Sequence, residues 1–175
     1  PDVLDSPAGP TDPDISIISV QDAKRKPLAL FANYSLHYVG GVGSGDISAD
    51  YYGMFCDALV KLQNATEQEP PVVPMMANGT SGDINNNDYS KKAERKYKPY
   101  EKMRLVAEDL AAKVHTALAK VEWKDAAELD ARFRELELSW RPIDPELLAW
   151  AKDKQANPAP NSSKTSMPAI FADRV

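Results

Sequence analysis

The stretch Val72–Asp88, VVPMMANGTSGDINNND, narrows the possible folds more than any other part of the chain. Its opening residues, Val72 to Met76, are a short apolar run bounded by prolines. A run of that length between turn signals predicts a buried strand. At Ala77 the composition switches to small and polar side chains, Asn78-Gly79-Thr80-Ser81-Gly82-Asp83. The two glycines permit backbone angles that other residues resist. Exposed N–H groups and short polar side chains therefore collect at the strand's carboxyl end, where open α/β sheets hold their ligands. The plainer reading is a polar loop that solvates a chain reversal.

The rest of the chain supplies a sheet for that strand. Residues 1–13 are rich in Pro, Asp and Gly and predict an extended lead-in. Ile15–Val20 and Leu28–Tyr34 read as two strands of a hairpin joined by the charged turn Gln21–Pro27. The second is the more uniformly apolar, which predicts a central position. A glycine-rich loop, Val39–Gly45, leads to a helix ending near Asn64, with Ser48 as its expected N-cap and Asp50 favourable in its first turn. Met54, Ala58 and Leu62, with Phe55 and Leu59 beside them, form the stripe of a helix lying on a sheet. Strand, helix, strand makes Leu28–Tyr34 and Val72–Met76 parallel. His37 and the Asn78–Asp83 loop then leave the sheet at one edge.

Further on, Lys91–Lys98 reads as a solvated segment. A helix follows from about Tyr100 to Lys120, with Met103, Val106, Leu110, Val114, Ala117, Leu118 and Val121 on its buried face. Ala131–Trp140 predicts a strand with a bulge where the apolar phase shifts. Asp144-Pro145 opens a helix running to about Gln155, residues 156–168 form a loop, and the last residues begin another helix. The expected fold is α/β, a mixed sheet flanked by helices, in one domain or part of a larger one. The chain starts on Pro1 without Met and stops abruptly, which suggests a piece of something longer.

Composition restricts the functions. With 175 residues, 43% of them hydrophobic and 27% charged, the chain is globular rather than disordered. The net charge of −5 is spread over interspersed charges of both signs, which leaves no nucleic-acid footprint. Cys56 is alone, so neither an internal disulfide nor a cysteine zinc cluster is available; it reads as a small core residue. No apolar run is long enough to span a membrane.

Three chemistries fit the loop. His37, beside a central strand, is a candidate metal ligand that Asp46, Asp50 or Asp83 would join. A zinc site needs three or four ligands, and no second histidine stands at a suitable spacing. The run Asp83-Ile84-Asn85-Asn86-Asn87-Asp88 through Glu94 has oxygen ligands at the first, third, fifth and twelfth places of a calcium loop. It lacks the sixth-place glycine and carries Lys91 and Lys92. The third is anion binding by the Gly-Thr-Ser backbone, without the lysine of a phosphate loop.

Taken together, an ordered set of motifs goes further. Gly9-Pro-Thr-Asp-Pro-Asp14, the hairpin, Phe31-Ala-Asn-Tyr-Ser-Leu-His37, Ile47-Ser-Ala-Asp-Tyr51 and Asn78-Gly-Thr-Ser-Gly-Asp-Ile-Asn-Asn86 resemble the neutral/alkaline non-lysosomal ceramidase family, most closely its bacterial ceramidase-like members. The resemblance covers most of the chain. It implies a zinc-dependent amidase that hydrolyses an N-acyl bond in a small or lipid-like substrate, and it implies export. His37 matches a zinc ligand of that family. The other ligands, a second histidine upstream and a glutamate and a tyrosine downstream, would lie outside this chain, which the resemblance makes an internal part of the catalytic domain.

The family's serine, proposed as nucleophile, sits in a Gly-x-x-Ser-Pro-Asn motif. Here Gly82-Asp83-Ile84-Asn85-Asn86-Asn87 puts Asn85 at the serine and Asn86 at the proline. An amide cannot be that nucleophile. Zinc-bound water attacks directly, another group substitutes, or the substrate differs. Asn85 and Asp83 are the expected catalytic-site residues, and Asn78, Gly79 and Asn86 the expected substrate-binding ones. The alternatives are a non-catalytic lipid- or saccharide-binding relative and a calcium-stabilised interaction domain.

Overall fold

A computed structural model describes residues 9–82, 84–88, 96–140, 142–157 and 167–174. Strand β1 (Ile15–Gln21) pairs antiparallel with β2 (Pro27–Tyr34), from Ile15 opposite Tyr34 to Val20 opposite Ala29. Helix α1 (Asp50–Leu62) then carries the chain to β3 (Val73–Asn78), which runs parallel to β2 with Ala29 opposite Val73 and Tyr34 opposite Asn78. The order β1-β2-β3 puts β2 in the centre. This is an α/β fold with a mixed sheet and flanking helices, and the expected hairpin and parallel crossover are both present.

The core forms where one sheet face meets the helices. Tyr51, Phe55 and Leu59 recur every fourth residue of α1 and are fully buried. They meet Leu30 and Ala32 of β2 and Met103, Ala107, Leu110, Ala111 and Val114 of α2 (Glu101–Leu118). Each large side chain so buried contributes about 1.5–3 kcal/mol. On the opposite face Ile18, Phe31 and Met75 stand in one cross-strand row and are exposed. The buried stripe of α2 is rotated from the expected one: Ala107 and Ala111 are buried, whereas Ala117 and Val121 are exposed. Past Val114 only Leu118 of the expected stripe still packs, half-buried, against the core. Cys56 is half-buried against the core.

The chain divides at Asp125/Ala126 into two compact units. In the second, α3 (Pro145–Ala156) begins as expected, with the Asp144 carboxylate accepting the N–H groups of Glu146 and Leu147. Gln155 of α3 donates to the Ala172 carbonyl of α4 (Met167–Ala172) at 3.1 Å. The strand expected over Ala131–Trp140 is not formed. These residues have no regular structure, and Phe133, Leu138 and Trp140 are almost fully exposed. A strand is stabilised by cross-strand neighbours, and no described strand pairs with this one.

Candidate functional site

Because β2 and β3 are parallel and in register, both finish at the same sheet edge. Tyr34 lies opposite Asn78, and the two chains continue side by side beyond them. Gly79 N–H donates to the Tyr34 carbonyl at 3.0 Å, and Thr80 N–H to the buried Ser35 hydroxyl at 3.2 Å. His37 N–H then donates to the Ile84 carbonyl at 3.2 Å. Asn86 Nδ2 closes the sequence by donating to the carbonyls of Tyr38 and Val39 at 3.3 and 3.4 Å. His37 and the asparagine-bearing turn therefore share one rim.

Gly79 is required there, though not for its backbone angle. It has no left-handed φ, but a Cβ at this position would lie 2.4 Å from Ser35 Oγ and 2.9 Å from Asn33 Oδ1. Its role is close approach between the strand extensions. Gly82 has neither constraint. The left-handed glycines are instead Gly40, Gly41 and Gly45, which turn the loop after His37.

Each expected site residue has a definite place or lies outside the described set. The His37 ring is half-buried and tilted 36° against Tyr38, with ring centroids 4.3 Å apart. Among the described residues neither of its nitrogens has a hydrogen-bond partner. Asn85 is exposed; its Oδ1 accepts Asn87 N–H at 3.0 Å, forming a local turn. Asn78 Nδ2 donates to Ser81 Oγ at 2.7 Å, which stiffens the loop from within. Asn86 commits its amide nitrogen to the His37 segment and acts as a brace. Asp83 lies outside the described residues, as do residues 89–95, so the first and twelfth places of the calcium-loop reading fall outside the described set.

Two of the three carboxylates expected to join His37, Asp46 and Asp50, are engaged elsewhere. Asp46 accepts a hydrogen bond from the Tyr100 hydroxyl, whose pKa is raised, first by that bond. Asp50 accepts the N–H groups of Val39 at 2.9 Å and Gly40 at 2.7 Å. Among the described residues no three His, Cys, Asp or Glu side chains gather as a metal group. Zinc requires three or four ligands, and the described residues do not bring such a set together around His37.

The support for this rim comes from the first turn of α1, and sequence reading missed it. Tyr51 and Tyr52 both donate to the Leu36 carbonyl, at 2.8 and 3.3 Å. Their rings stack with centroids 4.1 Å apart. Burial pushes the Tyr51 phenol far above its usual range, with Tyr52 adding to the shift. Ser48, the expected N-cap, is not the cap. The N-cap is Ala49, without a side-chain bond, and Ser48 Oγ accepts the N–H of Asp50 at 3.0 Å. The available signal was the grouping Asp50-Tyr51-Tyr52, three side chains able to reach backbone groups at a helix start.

No helix among the described residues is long and apolar enough to cross a membrane. Compared with family models, with curated proteins and with solved structures, the chain gives no match.

Proposed function

We propose that this rim is one wall of the active site of a zinc-dependent, amidase-like hydrolase that cleaves an N-acyl amide or related bond in a small or lipid-like substrate. The observation that supports the reading is the bond from His37 N–H to the Ile84 carbonyl. It holds a half-buried imidazole, whose nitrogens have no hydrogen-bond partner among the described residues, beside the turn that carries Asn85. The ordered motifs resembling the ceramidase family give the same reading from the sequence.

In this reading His37 offers one ring nitrogen to the metal, and the remaining ligands come from outside the described residues. Zinc, when bound, supplies a Lewis acid and activated water. The exposed Asn85 amide donates a hydrogen bond to the substrate carbonyl oxygen as it gains charge. Thr80, Ser81 and the Asn78 side chain keep the neighbouring loop in place. Asn85, where the resembling family has a hydroxyl, also supports a second reading in which the rim binds lipid or saccharide without turnover.

The test uses the natural full-length chain loaded with zinc and a panel of N-acyl substrates. His37→Ala is expected to abolish both zinc retention and hydrolysis. Asn85→Ala is expected to keep the metal and lower kcat by about 10²–10³. Zinc content unchanged in His37→Ala overturns the metal assignment. A zinc-replete protein that hydrolyses no member of the panel leaves the binding reading.

A further inference from the structure

The backbone of Asp50 has φ 52, a left-handed conformation. L-residues rarely adopt it, and such outliers persist where the surroundings hold them, often near functional sites. At Asp50 the surroundings are unusually specific. Its carboxylate accepts three backbone N–H groups: Val39 at 2.9 Å, Gly40 at 2.7 Å and Tyr51 at 2.7 Å. Bonds to an ionised acceptor are roughly twice as strong as neutral ones. Two of the three reach back to a segment ten residues earlier in the chain.

That segment contains His37. On its amino side the Leu36 carbonyl is held by the hydroxyls of Tyr51 and Tyr52. On its carboxyl side the amides of Val39 and Gly40 are held by Asp50. The three consecutive residues opening α1 therefore grip the chain before and after the histidine. Among the described residues the His37 ring packs against the Tyr38 ring. Its direction is consequently set through its own backbone and that of its neighbours.

We propose that Asp50 is a positioning residue for His37, fixing the loop so that the imidazole faces the rim. This rests on the reading that His37 acts there; Asp50 itself touches no reacting atom. The left-handed backbone is what brings the carboxylate across to both amides while α1 starts beneath it.

Asp50→Gly and Asp50→Asn test this in the full chain by NMR, without zinc or substrate. Glycine is at ease at this φ, so Asp50→Gly removes the clamp, together with the bond to Tyr51 N–H, without adding backbone strain at the start of α1. Amide exchange at Val39 and Gly40 is expected to quicken about tenfold or more. Cross-peaks between the His37 and Tyr38 rings are expected to weaken, with the resonances of Phe55 and Leu59 unmoved. Asp50→Asn keeps one acceptor oxygen and is expected to give an intermediate result. If Asp50→Gly does not fold, Asp50→Asn decides by the same two readings. Faster exchange at Val39 and Gly40 with unchanged His37–Tyr38 cross-peaks overturns the proposal, because the clamp would then serve the loop alone. These readings stand whether or not His37→Ala retains zinc, so the failure of Asp50 as a positioning residue is distinct from failure of the hydrolase reading.

Discussion

Strand β2 has a neighbour along each edge, antiparallel β1 and parallel β3, and its Leu30 and Ala32 are sealed under the helices. The stretch from Leu129 to Trp140 has neither a pairing strand nor a layer among the described residues. Leu129 is 94% exposed, Phe133 89% and Trp140 97%. Both segments carry bulky apolar residues suited to an extended chain. The difference is that β2 is supplied with its partners, by a five-residue turn on one side and a crossover with a single helix, residues 35–72, on the other. Apolar patterning selects a face to bury, but only a neighbour satisfies the backbone and covers the face.

The largest break in that contrast comes from removing what covers β2. Phe55 is fully buried in α1, within the cluster that includes Leu30 and Met103. Phe55→Ala is expected to cost about 3–5 kcal/mol, the usual range for emptying a core aromatic site. Denaturant unfolding followed by a probe in residues 15–118 measures it. A loss under about 1 kcal/mol would mean that the sheet does not depend on α1 for its stability.

This asymmetry also explains what was readable beforehand. β1, β2, α1, β3 and α2 follow from local period and turn residues, since each element's partner is close in sequence. The α3 start was legible because Asp144 and Pro145 act only on their own helix. The order of β2 and β3 and the shared edge of His37 and Asn78 came from the parallel crossover alone. Other features were not legible, and three show why. Ala131–Trp140 reads as a strand because its composition cannot report a missing neighbour. Gly79 reads as a turn glycine, although its need is set by Ser35 and Asn33 across the gap. Asp50 reads as a dipole partner for α1, while its bonds go to Val39 and Gly40. Each of these depends on an atom brought close only after folding.

A middle-sized effect sharpens the contrast through pH. Tyr51 sits inside the covered region, and burial raises its phenol pKa well above the usual value. Its neutral form is the one the fold keeps. The associated stability is fully present below the unfolded tyrosine pKa of about 10 and is lost as pH rises past it. Tyr51→Phe is expected to cost about 1 kcal/mol at neutral pH, since the Leu36 carbonyl retains the Tyr52 hydroxyl. Above pH 10 the variant should lose stability less steeply than the parent. Denaturant midpoints across pH 7–11 check this, and parallel curves for the two proteins would contradict the assignment.

The smallest expected effect lies in the uncovered stretch. Phe133 is 89% exposed, and among the described residues no side-chain hydrogen bond or ring contact ties it down. Replacing it by serine removes little buried area, so stability of the 175-residue chain should move by no more than about 0.5 kcal/mol. The hydrophobic term follows area taken from water, and here almost none is taken. The same substitution at Leu30, on the covered face of β2, would remove a fully buried side chain and leave a hydroxyl without a partner. Thermal denaturation of Phe133→Ser beside Phe55→Ala gives the comparison directly. A Phe133→Ser loss approaching that of Phe55→Ala would require a packed layer over residues 129–140, and the distinction between covered and uncovered apolar strands in this chain would fall with it.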